Sequence, residues 1–267
     1  MMKIFKSILN TIPRPLLIKA SYLVRPIIAW WLKGDVFTDP IDGKSFRKFL
    51  PYGYGIQREN ALSPSTLSLE RHRLLWLYLQ NETTFLSSDN SKKAENSSKK
   101  LKVLHIAPEQ CFLDIFRKQK NLEYITSDLE SPIADVKADI CDLPFKDNEF
   151  DVVFCNHVLE HISDDTKAMQ ELYRVLKVGG FGIFQIPQDL SREKTFEDNS
   201  ITDEKERTKI FGQYDHVRVY GRDYFDKLRS VGFKVDEVDF TKKIAPEKLE
   251  RFALMKGEIL PVCFKSL

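Results

Sequence analysis

The stretch that decides the fold runs from Asp139 to His157 and reads DICDLPFKDNEFDVVFCNH. Its second half contains a predicted strand at 151–155, in which residues 152–155 form a short apolar run; a polar turn precedes this strand, and Asn156 and His157 follow it. A short run that is apolar throughout predicts a strand buried on both faces of a parallel sheet. Asp139 follows a second short strand at 135–138, so polar groups stand at two successive strand ends.

Strands and helices alternate on both sides of this stretch. The predicted elements are, in order, a strand at 102–107, a helix at 109–118, strands at 123–127, 135–138 and 151–155, a helix at 163–176, a strand at 181–186, a helix at 221–230, and strands at 233–240 and 258–265. Such alternation predicts an α/β fold with a doubly wound, mostly parallel, seven-stranded sheet.

The chain divides into three parts. Residues 1–80 are apolar, aromatic and basic and form a small N-terminal accessory module, residues 81–100 are a flexible polar linker, and residues 101–267 form the α/β domain. The 267 residues, of which 42% are hydrophobic, suffice for a large core together with such a module.

The N-terminal module has an uneven charge. From Met1 to Gly34 there are six basic residues and no acidic one, mixed with apolar and aromatic side chains. Its longest uncharged apolar run, residues 26–32, is far shorter than the ~20 residues of a spanning helix. Arg14 and two nearby prolines argue against a secretory signal. We therefore expect a cytoplasmic protein, with residues 3–32 as candidates for a peripheral membrane contact.

The four cysteines support the same expectation. They lie far apart in the chain, and three of them stand within apolar runs: Cys111, Cys141, Cys155 and Cys263. This distribution is typical of reduced, buried thiols in an intracellular protein and not of a disulfide framework.

In a doubly wound sheet, ligands bind at the carboxyl ends of the strands. The first strand ends in the HIAPE run, His105 to Glu109, and the second ends in Ser127 and Asp128. Asp128 stands about 20 positions after the first strand, which is the spacing at which a carboxylate accepts hydrogen bonds from ribose hydroxyls. The sequence therefore predicts a nucleoside pocket at this edge.

Residues 139–154 resemble the D-x-x-x-LPF-x-D-x-x-FD-x-V stretch of class I S-adenosylmethionine-dependent methyltransferases. The VLEHI run at 158–162 and the ELYRVLKVGG run at 171–180 are similar to later segments of that family. Each match alone is weak, but their order makes the resemblance specific over about 101–187. It implies a Rossmann-like methyltransferase fold with S-adenosylmethionine as the cofactor.

The resemblance also implies residue roles. Asp128 would hold the ribose hydroxyls, and Asp139 would accept from the adenine amine beside the backbone of Ile140. Asn156 and His157 would lie near the sulfonium and the methyl group. For each aspartate alone, the alternative is a role in a turn or a helix cap.

The first loop departs from the family pattern, which usually has glycines here. This chain has Ala107, and His105 replaces a frequent acid, although a subfamily with H-x-A-P-E in this place looks similar. The resemblance places His105, Ala107 and Glu109 at the cofactor, with Glu109 facing the ammonium of the methionine moiety. The alternative for Glu109 is a preference for a helix N-terminus.

Methyl transfer requires a base only where the acceptor must lose a proton. The candidate catalytic residues are His216, which follows the fifth strand, and His157, because an imidazole accepts a proton near neutral pH. A structural histidine is the alternative. We expect the charged insertion at 188–220 to be a mobile cover over the acceptor site.

Two patterns resemble metal sites. Residues 157–161 match the H-x-x-E-H zinc motif. However, the first histidine lies at the end of a predicted strand, and the sequence shows no clear third ligand. Four positions have the spacing of a zinc ribbon in which every cysteine has been replaced: Asp39, Asp42, Ser63 and Thr66. Because hydroxyls cannot replace thiolates for zinc, we predict a degenerate zinc-ribbon-like segment and no bound metal.

Three classes of function stay open. The first is a methyltransferase with an unidentified acceptor, for which the basic module permits RNA, a lipid or a glycan. The second is a non-catalytic module that binds S-adenosylmethionine or S-adenosylhomocysteine, which the altered first loop favours. The third is a membrane-surface adaptor, which rests on residues 3–32.

Overall fold

The computed structural model describes residues 14–53, 57–86 and 100–266. Its elements are, in chain order, α1 (Arg14–Trp31), β1 (Lys33–Thr38), β2 (Ser45–Phe46), β3 (Leu50–Tyr52), β4 (Arg58–Leu62), α2 (Glu70–Glu82), β5 (Leu101–Ile106), α3 (Gln110–Arg117), β6 (Leu122–Asp128), β7 (Val136–Lys137), β8 (Phe150–Cys155), α4 (Asp165–Val175), β9 (Leu176–Ile183), β10 (Phe196–Glu197), α5 (Glu204–Phe211), β11 (Arg218–Val219), α6 (Tyr224–Ser230), β12 (Lys234–Val238), α7 (Pro246–Arg251) and β13 (Leu260–Phe264). Two 3₁₀ turns, Leu159–His161 and Phe240–Lys243, complete this set.

Six strands that run in one direction and one reversed strand, β13, form one sheet, in the order β12-β13-β9-β8-β5-β6-β7. β5 pairs in parallel with both of its neighbours, so that Val103 lies opposite Tyr124 of β6 and Val152 of β8. β13 pairs antiparallel with β9 and β12. The predicted doubly wound, mostly parallel, seven-stranded sheet of a Rossmann-like methyltransferase fold is confirmed.

Apolar side chains on both faces make this sheet the middle of three layers. Residues 152–155 of β8 are all buried, as their continuous apolar run predicts. On one face the sheet packs against Met169 and Leu172 of α4, and on the other against Phe112 and Phe116 of α3. The two cores hold the carboxyl ends of the central strands in place.

The helix that ends the predicted N-terminal module also covers the sheet. Leu75 and Leu79 of α2 are buried in the same core as Val103 of β5. α2 therefore belongs to the layer that supports the candidate site. The domain boundaries stay a prediction, and residues 87–99 of the predicted linker lie outside the described residues.

Two small antiparallel pairs, β1 with β2 and β3 with β4, precede α2. The buried Asp39 follows β1, and its Oδ2 accepts hydrogen bonds from Thr66 Oγ1 at 2.5 Å and from Ser68 Oγ at 3.0 Å. Two of the four ribbon-like positions, Asp39 and Thr66, are thus joined by a hydrogen bond. The relation of this segment to a zinc ribbon stays a prediction.

α1 presents an apolar face outward. Ile28 and Ala29 pack against a small cluster around Leu32. Six large apolar side chains of the same helix are exposed: Leu16, Leu23, Val24, Ile27, Trp30 and Trp31. Residues 3–13 of the predicted membrane-contact stretch lie outside the described residues. In the described parts of the chain, no helix has the length and apolar character needed to cross a membrane.

β9 begins five residues earlier than the predicted strand and passes through Gly179 and Gly180, which resembled a turn. A Cβ atom on Gly180 would lie 2.7 Å from the carbonyl oxygen of Asp151 on β8. Glycine is required here because the two backbones approach closely. The glycine pair therefore belongs to the sheet itself.

Candidate functional site

The first loop keeps the backbone conformation of a glycine turn. Ala107, directly after β5, has a φ of +49°, in the left-handed region that favours glycine. Its amide donates a hydrogen bond to the carbonyl of Ser127 on β6, at 2.8 Å. The side chain at this left-handed position is therefore no larger than a methyl group.

A small cavity of about 110 Å³ opens beside this turn. Four of the predicted cofactor residues line it: Ala107, Asp128, Asp139 and Ile140. Asp128 Oδ1 accepts hydrogen bonds from the amides of Glu130 and Ser131, at 2.8 and 2.6 Å. Asp139 Oδ1 accepts one from the amide of Cys141, at 2.8 Å.

The two aspartates therefore have the turn role that was the alternative interpretation. In both cases the turn amides donate to Oδ1. Both residues also line the small cavity.

His105 and Glu109 form a pair behind the first loop. Glu109 Oε2 lies 2.5 Å from His105 Nε2, and Glu109 Oε1 lies 3.7 Å from His72 Nε2 on α2. Burial alone would raise the pKa of Glu109, but the two histidines and the nearby Arg71 lower it to about 2. The charge of Glu109 therefore persists at neutral pH, although neither it nor His105 lines the small cavity.

The end of β8 is held by the end of β9. Asn156 Oδ1 accepts from the amide of Gln185 at 3.2 Å, and the His157 amide donates to the Gln185 carbonyl at 2.7 Å. His157 has a φ of +54°, a strained conformation for this residue type. Asn156 does not line the small cavity, whereas His157 lines a second, larger one.

The larger cavity, of about 520 Å³, lies between α2, the ends of β8 and β9, the insertion and the segment before β13. It brings together both predicted catalytic residues, His157 and His216. Burial lowers the pKa of each histidine below its usual value, so both are neutral at pH 7. Neutral imidazoles that face a cavity can accept protons from a bound molecule.

Two residues of this cavity were not predicted from the sequence. Arg71 on α2 lines it, and its buried Nε has no hydrogen-bond partner within the described residues. Burial raises the pKa of Glu258, which also lines the cavity, to about 7. Both lie far in the chain from the carboxyl ends of β5, β6 and β8, so no local motif marks them.

The insertion is anchored at its C-terminal end. Arg218 is buried and donates to the carbonyls of Leu159 and Ser163, at 2.8 and 2.9 Å, and also to that of Ile162. By contrast, Phe211 is the only buried residue of α5. One end of the predicted cover is thus fixed to the sheet edge, while its helix buries little.

The comparisons with known proteins agree with this architecture. Residues 90–184, about a third of the chain, match the family described as "Methyltransferase domain". An uncharacterized protein of Methanocaldococcus jannaschii is 35% identical over 132 residues, which are 46% of this chain and 57% of that protein. The match to this family covers the part of the chain that forms β5 to β9.

Two further proteins to which the chain is similar are named as methyltransferases. The 2-phytyl-1,4-naphtoquinone methyltransferase of Nostoc sp. is 48% identical over 42 residues, 16% of this chain and 18% of that enzyme. A crystal structure of a SAM dependent methyltransferase from Archaeoglobus fulgidus covers 72% of this chain and 99% of its own, with 13% identity and a TM-score of 0.42. The chain spans less than two thirds of the length of the two curated relatives, from Methanocaldococcus jannaschii and Nostoc sp..

Proposed function

We propose that the chain is an S-adenosylmethionine-dependent methyltransferase. The observation that carries this proposal is the pair of carboxylates at successive strand ends, Asp128 and Asp139, beside one small cavity. The match of residues 90–184 to methyltransferase domains supports it. In this proposal Asp128 binds the ribose hydroxyls, and Asp139 binds the adenine amine next to Ile140.

The polar atoms at this edge fit such a cofactor. Buried atoms without a hydrogen-bond partner in the described residues include Ser127 Oγ, Asn156 Nδ2, Gln185 Oε1 and Arg71 Nε. Unsatisfied buried polar groups are costly, so a polar ligand that reaches them is stabilising. S-adenosylmethionine offers hydroxyl, amine, ammonium and carboxylate groups, and when bound it supplies an activated methyl group.

We assign the methionine end of the cofactor to Arg71 and Glu109. Arg71 would bind the carboxylate, because its guanidinium lies in the larger cavity with an unpaired Nε. Glu109 keeps its charge at neutral pH and would attract the ammonium through the first loop. Ala107, with its small side chain, lets the backbone approach the cofactor.

The acceptor would occupy the larger cavity. Its volume of about 520 Å³ suits a small molecule or one end of a larger one. His216 and His157 are the candidate bases, and RNA, a lipid and a glycan stay the candidate acceptors. The quinone methyltransferases match only short stretches of this chain and do not select among these acceptors.

Calorimetry and isotope transfer test this function together. We expect one equivalent of S-adenosylhomocysteine to bind, and tritium from methyl-labelled S-adenosylmethionine to appear in one of the RNA, lipid or glycan fractions. Binding without transfer to any fraction would instead support the non-catalytic module. Absence of binding would overturn both of these classes.

We also propose that the protein is cytoplasmic and contacts a membrane surface through α1. Apolar side chains project outward along this helix, with Trp30 77% and Leu23 76% exposed. The first 34 residues add six basic residues and no acidic one, which complements anionic lipid headgroups. All four cysteines are free thiols, which supports a reducing compartment.

A further inference from the structure

Three side chains converge near the rim of the larger cavity, and the methyltransferase proposal gives them no joint role. Glu160 and His161 belong to the 3₁₀ turn after β8, and His216 comes from the insertion 55 residues later. One ligand atom from each lies within 4.8 Å of the other two. Of the three, His216 lines the cavity.

Both histidines are oriented by a partner on one ring nitrogen. His216 Nδ1 lies 3.1 Å from the carbonyl of Phe211, and His161 Nδ1 lies 3.3 Å from Asp215 Oδ2. Their rings approach edge to face, with centroids 4.7 Å apart. Holding Nδ1–H on an oxygen leaves the Nε2 lone pair free, as in histidines that bind metal ions.

Glu160 is only 1% exposed, yet neither of its carboxylate oxygens has a hydrogen-bond partner within the described residues. The His157 ring lies beside it, with Nδ1 at 3.3 Å from Oε1, but burial lowers the pKa of this histidine and it is neutral at pH 7. Burying a carboxylate without partners is costly unless a cation compensates it. The neighbouring Arg218 donates instead to backbone carbonyls and to Glu197.

We propose that Glu160, His161 and His216 bind a divalent transition-metal ion of the zinc type. Two imidazole nitrogens and one carboxylate oxygen suit such an ion and do not suit magnesium. Zinc binding was not expected from the sequence, because the H-x-x-E-H motif at 157–161 had no third ligand. The fold places His216 beside Glu160 and His161. His157 is outside this ligand set and stays the candidate base when His216 binds the ion. A metal ion with three protein ligands keeps a position for a further ligand.

Zinc chloride and magnesium chloride are titrated into full-length protein that has been purified without a metal-affinity tag and dialysed against a chelator. We expect one equivalent of zinc to bind and magnesium not to bind. Glu160→Gln, His161→Gln and His216→Gln should each weaken zinc binding by more than about 100-fold. His157→Gln, from the same motif, removes a neighbour of Glu160 and not a ligand, so it should weaken zinc binding less than the three ligand variants do.

Cobalt absorption spectra and circular dichroism separate ligand loss from misfolding, because a folded variant that has lost a ligand loses the cobalt bands only. Zinc binding that survives all three ligand variants, or that His157→Gln abolishes, overturns the ligand set. A parent that binds no zinc overturns the site. Titration of S-adenosylhomocysteine into the same samples tests the methyltransferase proposal separately, since the cofactor residues are different.

Discussion

Nε2 of His105 lies 2.5 Å from Oε2 of Glu109, across the turn that joins β5 to α3. His105 is completely buried, and its Nδ1 lies 2.7 Å from the hydroxyl of Tyr124, so each ring nitrogen lies close to an oxygen atom. Removing the carboxylate would leave the buried ring without this neighbour. The H-x-A-P-E run is therefore a structural unit whose first and last residues close the loop around Ala107.

The first prediction is that Glu109→Gln lowers the free energy of unfolding at pH 7 by about 2–3 kcal/mol. The pKa of Glu109 is about 2 in the folded protein and 4.5 without its partners. The ionised carboxylate therefore contributes stability above pH 4.5, and this contribution is lost as the pH falls toward 2. Urea unfolding at pH 7, 5 and 4 measures the difference between parent and variant.

That difference should be equal at pH 7 and 5 and smaller at pH 4. Glu130→Gln is the control, because Glu130 is exposed in the loop after β6. An equal loss of stability in both variants, or no loss in Glu109→Gln, would show that the pair does not stabilise the loop.

The central strands could be predicted because each contains a short run of mostly apolar residues, a property that the sequence shows directly. β5, β6 and β8 lie within two residues of their predicted bounds. The start of β9 could not be predicted, because Gly179 and Gly180 resemble a turn until β8 is known to lie beside them. Local composition does not record such a contact between strands.

In the candidate site too, some residues could be predicted from the sequence and others could not. Asp128 is the last residue of β6, and Asp139 and Ile140 come just after β7, so the topology alone brings them to one cavity. Arg71 stands 36 positions before Ala107 on a helix outside the predicted domain, and only the packing of α2 on the sheet brings it to the site. Glu258 lines the larger cavity because it lies just before β13, where the chain returns to the sheet.

The second prediction concerns the two cofactor carboxylates. Asp128→Asn and Asp139→Asn keep an oxygen for the turn amides but replace the second carboxylate oxygen with a donor. Each variant should bind S-adenosylhomocysteine about 5- to 150-fold more weakly, which corresponds to the ~1–3 kcal/mol cost of an unpaired polar group. Isothermal titration calorimetry measures the affinities.

The control is Asp142→Asn, because Asp142 is an exposed aspartate next to the same turn. Thermal unfolding of all three variants should remain close to that of the parent, since the asparagine oxygens preserve the turns. Parent-like affinity in both cofactor variants would show that the small cavity does not hold the nucleoside.

The third prediction is that Glu258→Gln is more stable than the parent at pH 8 and similar at pH 5. Burial raises the pKa of Glu258 to about 7 from 4.5. The folded protein therefore retains a proton that the unfolded chain loses, and the parent loses about 3 kcal/mol of stability as the pH rises from 4.5 through 7. Urea unfolding at both pH values measures this, with the exposed Glu250→Gln as the control. If Glu258→Gln is no more stable than the parent at pH 8, the pKa of Glu258 is not raised in the folded protein.

The fourth prediction concerns α1. The protein should sediment with vesicles that contain phosphatidylglycerol, less so at high salt, and weakly with pure phosphatidylcholine. Ile27→Ser combined with Trp30→Ser should reduce binding at least ~10-fold, because each side chain contributes about 1.5–3 kcal/mol when buried. Val178→Ser, at an exposed site in the sheet, is the control.

Two results would argue against a membrane surface. One is equal vesicle binding by the double variant and the parent. The other is a dimer of the parent in sedimentation velocity that the double variant dissociates, because the apolar face of α1 would then be covered by a second copy of the chain.

The last prediction is that the insertion closes over the cofactor. α5 contributes one buried residue, Phe211, whereas the following segment is fixed by Arg218 and by Tyr220, whose hydroxyl donates to Asp165 Oδ2 at 2.8 Å. A segment that buries little apolar surface opens at low free energy. In hydrogen exchange, amides of residues 190–215 should therefore exchange quickly in the free protein and slow down when S-adenosylhomocysteine is added.

β8 is the internal control for this measurement, because its buried strand should exchange slowly with and without the ligand. His216→Ala should reduce methyl transfer much more than it reduces cofactor affinity, since His216 faces the larger cavity and not the nucleoside pocket. Closure would bring the His216 ring toward the acceptor and exclude water from it. Slow exchange of residues 190–215 in the free protein, or unchanged turnover in His216→Ala, would show that the insertion is a static part of the fold.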